Sequence, residues 1–347
     1  SDGKGKAIYA PSPKGQTKVL RRAYEQAGIT PRDISYIEAH GTGTMAGDPA
    51  EFAGMREVFS ENNPDRNTIA LGSVKSQIGH TKAAAGAASL IKASLALYHK
   101  VLPATINVSK PNPAMEIEQT PFYLNTETRP WFNSPKGNPR RAGVSSFGFG
   151  STNFHIAVEE YTGQQSAFKR LQSAPFSVLL SAATPQELAQ VCKQTSSPLQ
   201  GENAQQTLNQ LDRDASSISI PTGHARLGFL AGSTAEAIEL LAESLKMLEQ
   251  KAGEDAWSHP KGIFFRTSGM EVQGKTAALF PGQGSQYVNM GRDLAISFPP
   301  FRESFEQADT QAIQAGRTAL TQSVFPVPVF SDEERKAQQE NLTATEN

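Results

Sequence analysis

Glu38-Ala39-His40-Gly41-Thr42-Gly43-Thr44, with Gly47-Asp48-Pro49-Ala50-Glu51 close behind it, is the stretch on which the reading of the fold turns. Ile34-Ser35-Tyr36-Ile37 just upstream reads as a short strand, so His40 stands on a loop at the strand's end. Gly41 and Gly43 flank that loop and let its backbone come close to a ligand. A helix should open at Asp48, with Asp48 as N-cap, Pro49 at the first helical position and Glu51 reaching back to complete a capping box. Further on, Gly72-Ser73-Val74-Lys75-Ser76-Gln77-Ile78-Gly79-His80 closes a second strand, Ile69 to Val74, and leads into an alanine-rich helix from about Thr81. His80 thus precedes a helix N-terminus, whose partial positive charge disfavours an imidazolium and favours a neutral, hydrogen-bond-donating ring.

Outward from this centre, Gln16 to Ala27 is an amphipathic helix stopped by Gly28. After the alanine-rich helix, Pro103, Pro111, Pro113 and Pro121 leave room only for loops and short extended pieces. Gly143 to Gly150 reads as a glycine-rich loop before a strand from Phe154 to Val158. Strands alternating with helices predict an α/β layered fold for residues 1–160.

The composition shifts near Thr162-Gly163-Gln164-Gln165-Ser166, and a smaller α/β domain is expected over 161–275. Its pieces are a strand from Phe176 to Leu180, a helix from Pro185 to Cys192 entered at Thr184, and a polar loop from Thr195 to Gln205. A strand from Leu227 to Leu230, a helix from Ala235 to Leu248 and a short strand at Ile263-Phe264-Phe265 follow. A third unit, 276–347, opens with a strand Ala277 to Phe280 and Pro281-Gly282-Gln283-Gly284-Ser285-Gln286, and its tail from Ser331 onward shows no closing element.

Hydrophobic residues make up 38% and charged residues 19% of the 347, and the formal net charge is −1. No block of Lys or Arg suggests nucleic acid or an anionic membrane. The apolar stretch from Ala83 to Tyr98 is too short to cross a bilayer, and Lys92 interrupts it. The one cysteine, Cys192, excludes an internal disulfide and a cysteine-rich metal cluster, which makes a reducing cytoplasm the expected compartment.

The strings at 38–44, 47–49 and 72–80, together with Gly143-Val144-Ser145-Ser146-Phe147-Gly148-Phe149-Gly150-Ser151-Thr152-Asn153, resemble the signature series of β-ketoacyl synthases, in that family's order and spacing. The resemblance implies the C-terminal half of a thiolase-like α/β fold that catalyses decarboxylative condensation of acyl and malonyl thioesters. His40 and His80 would be its catalytic oxyanion pair, and Lys75 would orient His80 and pair with Glu51. Asp48 would be mainly structural. Thr42 and Thr44 would bind the pantetheine arm of an acyl carrier protein, with Phe147 beside them. Phe149 would gate acyl access and Asn153 would brace that loop. No cofactor is expected on the chain itself, since the phosphopantetheine is carried by the acyl carrier protein.

Phe280-Pro281-Gly282-Gln283-Gly284-Ser285-Gln286 resembles the opening of malonyl and acyl transferases, in which Gln283 would lie at the oxyanion hole. The domain at 161–275 then matches a ketosynthase–acyltransferase linker, and the motif wording most resembles polyunsaturated fatty-acid synthases. Cys192, among Leu188-Ala189-Gln190-Val191 and Lys193-Gln194, sits on an ordinary helix and cannot be the family's nucleophile. No Gly-x-Ser-x-Gly elbow follows Gln283. The chain should therefore lack both covalent nucleophiles and act with an N-terminal ketosynthase half, within a homodimeric parent. Two competing readings are a non-catalytic partner of chain-length-factor type and a docking platform built on the linker.

Overall fold

The computed structural model describes residues 10–134, 137–148, 150, 152–163, 175–270 and 277–344. They form two compact units, the first of residues 1–171 and 281–347, the second of residues 172–280.

In the first unit, helix α1 (Pro13–Ala27) follows an N-cap Ser12, starts three residues before the expected Gln16, and ends as expected at Gly28, which takes the left-handed region. Strand β1 (Tyr36–Glu38), helix α2 (Gly47–Ser60), strand β2 (Ile69–Gly72), a short helix α3 (Lys75–Ile78) and helix α4 (Ala85–His99) follow. Then come β3 (Val101–Leu102), β4 (Phe122–Leu124), β5 (Arg129–Pro130), β6 (Arg141–Gly148) and β7 (Thr152–Glu159). The main sheet runs β4-β2-β1-β6-β7. Its first four strands pair in parallel and β7 closes the edge antiparallel to β6.

Strand alternation divides the core. Ile37 packs with Leu20, Tyr24, Phe52, Phe59 and Phe122 on the α1–α2 side, while Tyr36 packs with Ala93, Ala96 and Leu97 on the α4 side. Glu38, two residues after Tyr36, shares the α4 side. The expected glycine-rich loop is mostly strand, because the glycines serve packing. A Cβ on Gly143 would stand 2.6 Å from Ile37 Cδ1 and 2.7 Å from Tyr24 Oη. Helix α4 buries Ala85, Ser89, Lys92, Ala93 and Ala96, but its other face leaves Ile91 59% and Leu95 52% exposed.

The second unit holds β8 (Phe176–Ala182), α5 (Pro185–Leu199), α6 (Ala204–Ser217), β9 (Ala225–Ala231), α7 (Thr234–Gln250), β10 (Ala256–His259) and β11 (Ile263–Arg266). Its antiparallel sheet runs β10-β11-β9-β8. The helices supply Leu188, Leu208 and Leu241 to one core with Leu227 and Phe265. The polar loop expected over 195–205 is largely helical. Burial of Leu199 and Leu208 holds α5 and α6 through a stretch whose serines and Pro198 favour a loop locally.

Residues 281–344 return to the first unit as α8 (Arg292–Ser297), α9 (Pro299–Gln314), α10 (Leu320–Val324) and α11 (Asp332–Thr343). Phe132 packs there against Phe305 and Phe325. Arg140, ion-paired to Glu160 at 3.0 Å, also pairs with Glu306, and Arg129 donates to the Phe325 carbonyl. The strand expected at Ala277 to Phe280 does not form, since Leu279 and Phe280 are 93% and 89% exposed and find no partner strand. The tail, expected to lack a closing element, forms α11, whose capping box of Ser331 and Glu334 offsets its polar composition. Among the described residues no helix is long and apolar enough to cross a membrane, and no cluster of acidic, histidine or cysteine side chains could hold a metal.

Candidate active site

β1 hands the chain to the His40–Thr44 loop, and α2 folds back beneath it. Glu51, 4% exposed, accepts the backbone N–H groups of His40 and Gly41, each at 2.8 Å. The capping box expected between Asp48 and Glu51 is absent. Ala46 holds the N-cap position, and Asp48 lies in the first turn, accepting from the Gly43 N–H at 3.1 Å. Both carboxylates turn to the loop because its N–H groups have no strand partner and must be satisfied. Gly41 and Gly43 have φ of 42° and 72°, a region that a side chain disfavours. Burial pushes the Glu51 carboxyl up to about 7, against the two N–H bonds that favour its ionised form.

The rings of His40 and His80 meet edge to face with centroids 5.4 Å apart, and Phe147 lies 5.9 Å from His40. Burial, helped by the charges of Lys75 and His80, lowers His40 to about 4, so its ring is neutral near pH 7. His80 Nδ1 accepts the Lys82 N–H at 3.0 Å. An accepting Nδ1 puts the proton of a neutral ring on Nε2, which leaves Nε2–H as the donor. Lys75 opens α3 rather than ending the strand, and burial lowers its pKa while Glu38, Glu51 and Asp48 oppose the shift. Among the described residues Lys75 Nζ has no hydrogen-bond partner, and no ion pair joins it to Glu51.

Thr42 and Thr44 pair their hydroxyls at 3.0 Å on the rim of a cavity of about 470 Å³. Lys75 and exposed Lys110 line it, and Phe52 and Met55 form its buried apolar wall. Asn153 faces Phe147 across the β6–β7 pair. Phe149 lies outside the described residues. Gln283 stands on an exposed turn. Cys192 is buried in α5, which pushes its thiol up to about 12. Sequence reading passed over Glu38 and Lys92, an ion pair at 3.0 Å on the α4 side. The available signal was a carboxylate and an ammonium in otherwise apolar segments.

The histidine loops and the strands behind them lie within a matched family model, the β-ketoacyl synthase C-terminal domain, over residues 1–109. Residues 1–109 belong to that family. A second model, the ketoacyl-synthetase C-terminal extension, matches residues 111–220, across the boundary expected at 160. The chain is 38% identical over 367 aligned residues to a polyunsaturated fatty acid synthase component from Thraustochytrium sp., covering 99% of this chain and 13% of that protein. It is 51% identical over 160 residues to polyketide synthase PksL of Bacillus subtilis, covering 46% of this chain and 4% of the relative. Among solved structures, the ketosynthase from module 6 of the Bacillus subtilis bacillaene synthase aligns at 39% identity, over 71% of this chain and 43% of that one, with a TM-score of 0.44. The chain thus spans a small fraction of the synthases it matches. The parts that the family models match are the C-terminal domain of a β-ketoacyl synthase and its C-terminal extension.

Proposed function

We propose that this chain supplies the histidine–lysine half of a condensing site in a multidomain synthase, of the polyunsaturated fatty-acid type. The edge-to-face pair of His40 and His80, with His40 held neutral by burial and His80 accepting the Lys82 N–H at Nδ1, carries the reading. In the reaction, the malonyl thioester breaks its bond to the carboxylate and releases CO₂. The electron pair moves into an enolate whose oxygen accepts the two imidazole N–H groups. That carbon attacks an acyl thioester, a carbon–carbon bond forms, and a thiolate leaves. Two donors aimed at the enolate oxygen stabilise charge that appears only as the bond breaks.

Lys75 adds positive charge beside both rings, and Glu51 and Asp48 hold the loop. Thr42, Thr44 and Phe147 line the path of a phosphopantetheine arm brought by an acyl carrier protein. Phe149 gates the acyl chain, braced by Asn153. The acylated nucleophile comes from residues outside this sequence, since Cys192 is buried with its thiol held protonated. An N-terminal ketosynthase half would cover Ile91 and Leu95 on α4, and the parent is a homodimer. We assign 161–275 to a ketosynthase–acyltransferase linker and 276–347 to the start of an acyltransferase, with Gln283 at its oxyanion hole. The retained oxyanion pair disfavours a silent chain-length-factor partner or a bare docking platform, neither of which needs it.

The test is His40→Ala and His80→Ala in the synthase containing this chain. Decarboxylation of malonyl thioester should fall about 10²–10³-fold while acylation of the nucleophile persists. Wild-type decarboxylation in either variant would remove the assignment.

A further inference from the structure

The Glu38 carboxylate is fully buried at the end of β1 and ties its own strand to two other segments. Its Oε1 accepts the Val74 N–H at 2.5 Å. Its Oε2 accepts Tyr36 Oη at 2.5 Å and pairs with Lys92 Nζ of α4 at 3.0 Å, where the lysine side chain is 8% exposed. Each partner segment leads to a group of the candidate site. Glu38 stands at the end of β1 two residues before His40 on the following loop, Val74 immediately precedes Lys75, and α4 is entered from His80.

A buried ion pair is weak evidence for stability, because apolar residues of the same volume often serve as well or better. What a carboxylate adds is direction. It has two oxygens and accepts only, so it can bind the Val74 N–H and the phenol in fixed directions while pairing by charge with the ammonium, whose Nζ makes no hydrogen bond among the described residues. Hydrophobic packing of Tyr36, Ala93 and Ala96 would hold α4 to the sheet, but would leave the turn at Val74 with a buried N–H to satisfy elsewhere.

Resting on the condensing reading above, we propose that Glu38 is a positioning residue, tying together the segments that carry His40, Lys75 and His80, with Lys92 as its counter-charge. It touches no substrate, and acts by fixing where the three groups point. Glu38 also opposes the lowering of the Lys75 pKa by burial, alongside Glu51 and Asp48 and against Lys92.

The test compares decarboxylation of malonyl thioester with acylation of the nucleophile in the intact synthase. Glu38→Gln keeps the side-chain shape and an acceptor for Val74, but sets an amide against Lys92. It should slow decarboxylation about 10²-fold, the scale of a 1 Å misplacement, while acylation changes little. Tyr36→Phe keeps the ion pair and the apolar core, and should show the same split at roughly tenfold for one lost charge-assisted hydrogen bond. If Glu38→Gln fails to fold, Tyr36→Phe alone decides. Parallel loss of both steps, or unchanged decarboxylation in the folded variants, overturns the positioning role. His40→Ala run alongside separates the two ideas. If it decarboxylates normally the condensing reading falls, whereas a slow His40→Ala beside unaffected Glu38→Gln and Tyr36→Phe rejects only the role of Glu38.

Discussion

Glu51 holds His40 by its backbone, accepting the His40 N–H with one carboxylate oxygen and the Gly41 N–H with the other, each at 2.8 Å. The His40 ring is therefore placed through main-chain bonds to α2 rather than through bonds to the ring itself. Glu51→Ala would orphan both donors in a buried setting, at roughly 1–3 kcal/mol each. Urea unfolding should show a loss of about 2–6 kcal/mol, with decarboxylation falling further than the folded fraction. A variant as stable as wild type would mean that water satisfies the loop.

His155 gives the acid limb of stability a definite sign. It is buried between Tyr24 Oη at 2.7 Å and Ser145 Oγ at 3.0 Å, and burial lowers it to about 3. An unfolded histidine takes a proton near its ordinary 6.5, whereas the folded ring does not until about 3. Stability is therefore full above about 6.5 and declines as pH falls toward 3, by up to about 1.4 kcal/mol per pH unit. His155→Gln should flatten that slope in urea titrations between pH 6 and 4, values chosen inside the window. An unchanged slope would assign it to other groups.

Arg140 joins the sheet body to the returning helices. Its guanidinium pairs with Glu160 at 3.0 Å and with Glu306, and its Nε donates to the Trp131 carbonyl at 2.6 Å. Arg140→Met leaves Glu160 with Lys100 and the backbone N–H of residue 140, and leaves Glu306 without its buried partner. Breaking such a pair from one side costs about 3–5 kcal/mol. Thermal unfolding should shift down accordingly, and a loss under about 1 kcal/mol would class the pair with exposed ones.

Purified by itself, the chain should not become acylated. Cys192 is sealed inside α5 with its thiol pushed up to about 12, so almost no thiolate exists at neutral pH. Incubation with a radiolabelled acyl thioester followed by denaturing electrophoresis should leave no label. Stable label that disappears in Cys192→Ser would show a reactive thiol instead.

What could be read from the sequence depended on how local the cause was. Gly28 and Thr184 act within a turn of their own helices, and the end of α1 and the start of α5 fall where they are expected, whereas α1 starts three residues before Gln16 and α5 runs on past Cys192. His40 and His80 were legible because glycine-flanked loops after strands are local patterns as well. Glu51 was read as a cap because the local rule looks three residues back, while its actual partners lie 10 and 11 residues upstream. Helix α6 was missed because its signal is sparse, with Leu208 its one buried residue in a polar run. The seat of residues 281–344 was illegible for the same reason on a larger scale. Arg140 meets Glu306 across 166 residues, and no window of sequence contains both.

That separation sets a timetable for synthesis. Arg129 finds the Phe325 carbonyl 196 residues later in the chain, with the whole second unit made in between. At about 5–20 residues per second, the ribosome needs roughly 10–40 s to deliver that partner. During this interval Phe132 and the Arg129 guanidinium stand uncovered on a nascent sheet, while residues 172–280 can already fold on their own local contacts. That interval, when the second unit is finished and the first is still waiting to be closed, is when uncovered apolar surface most invites aggregation.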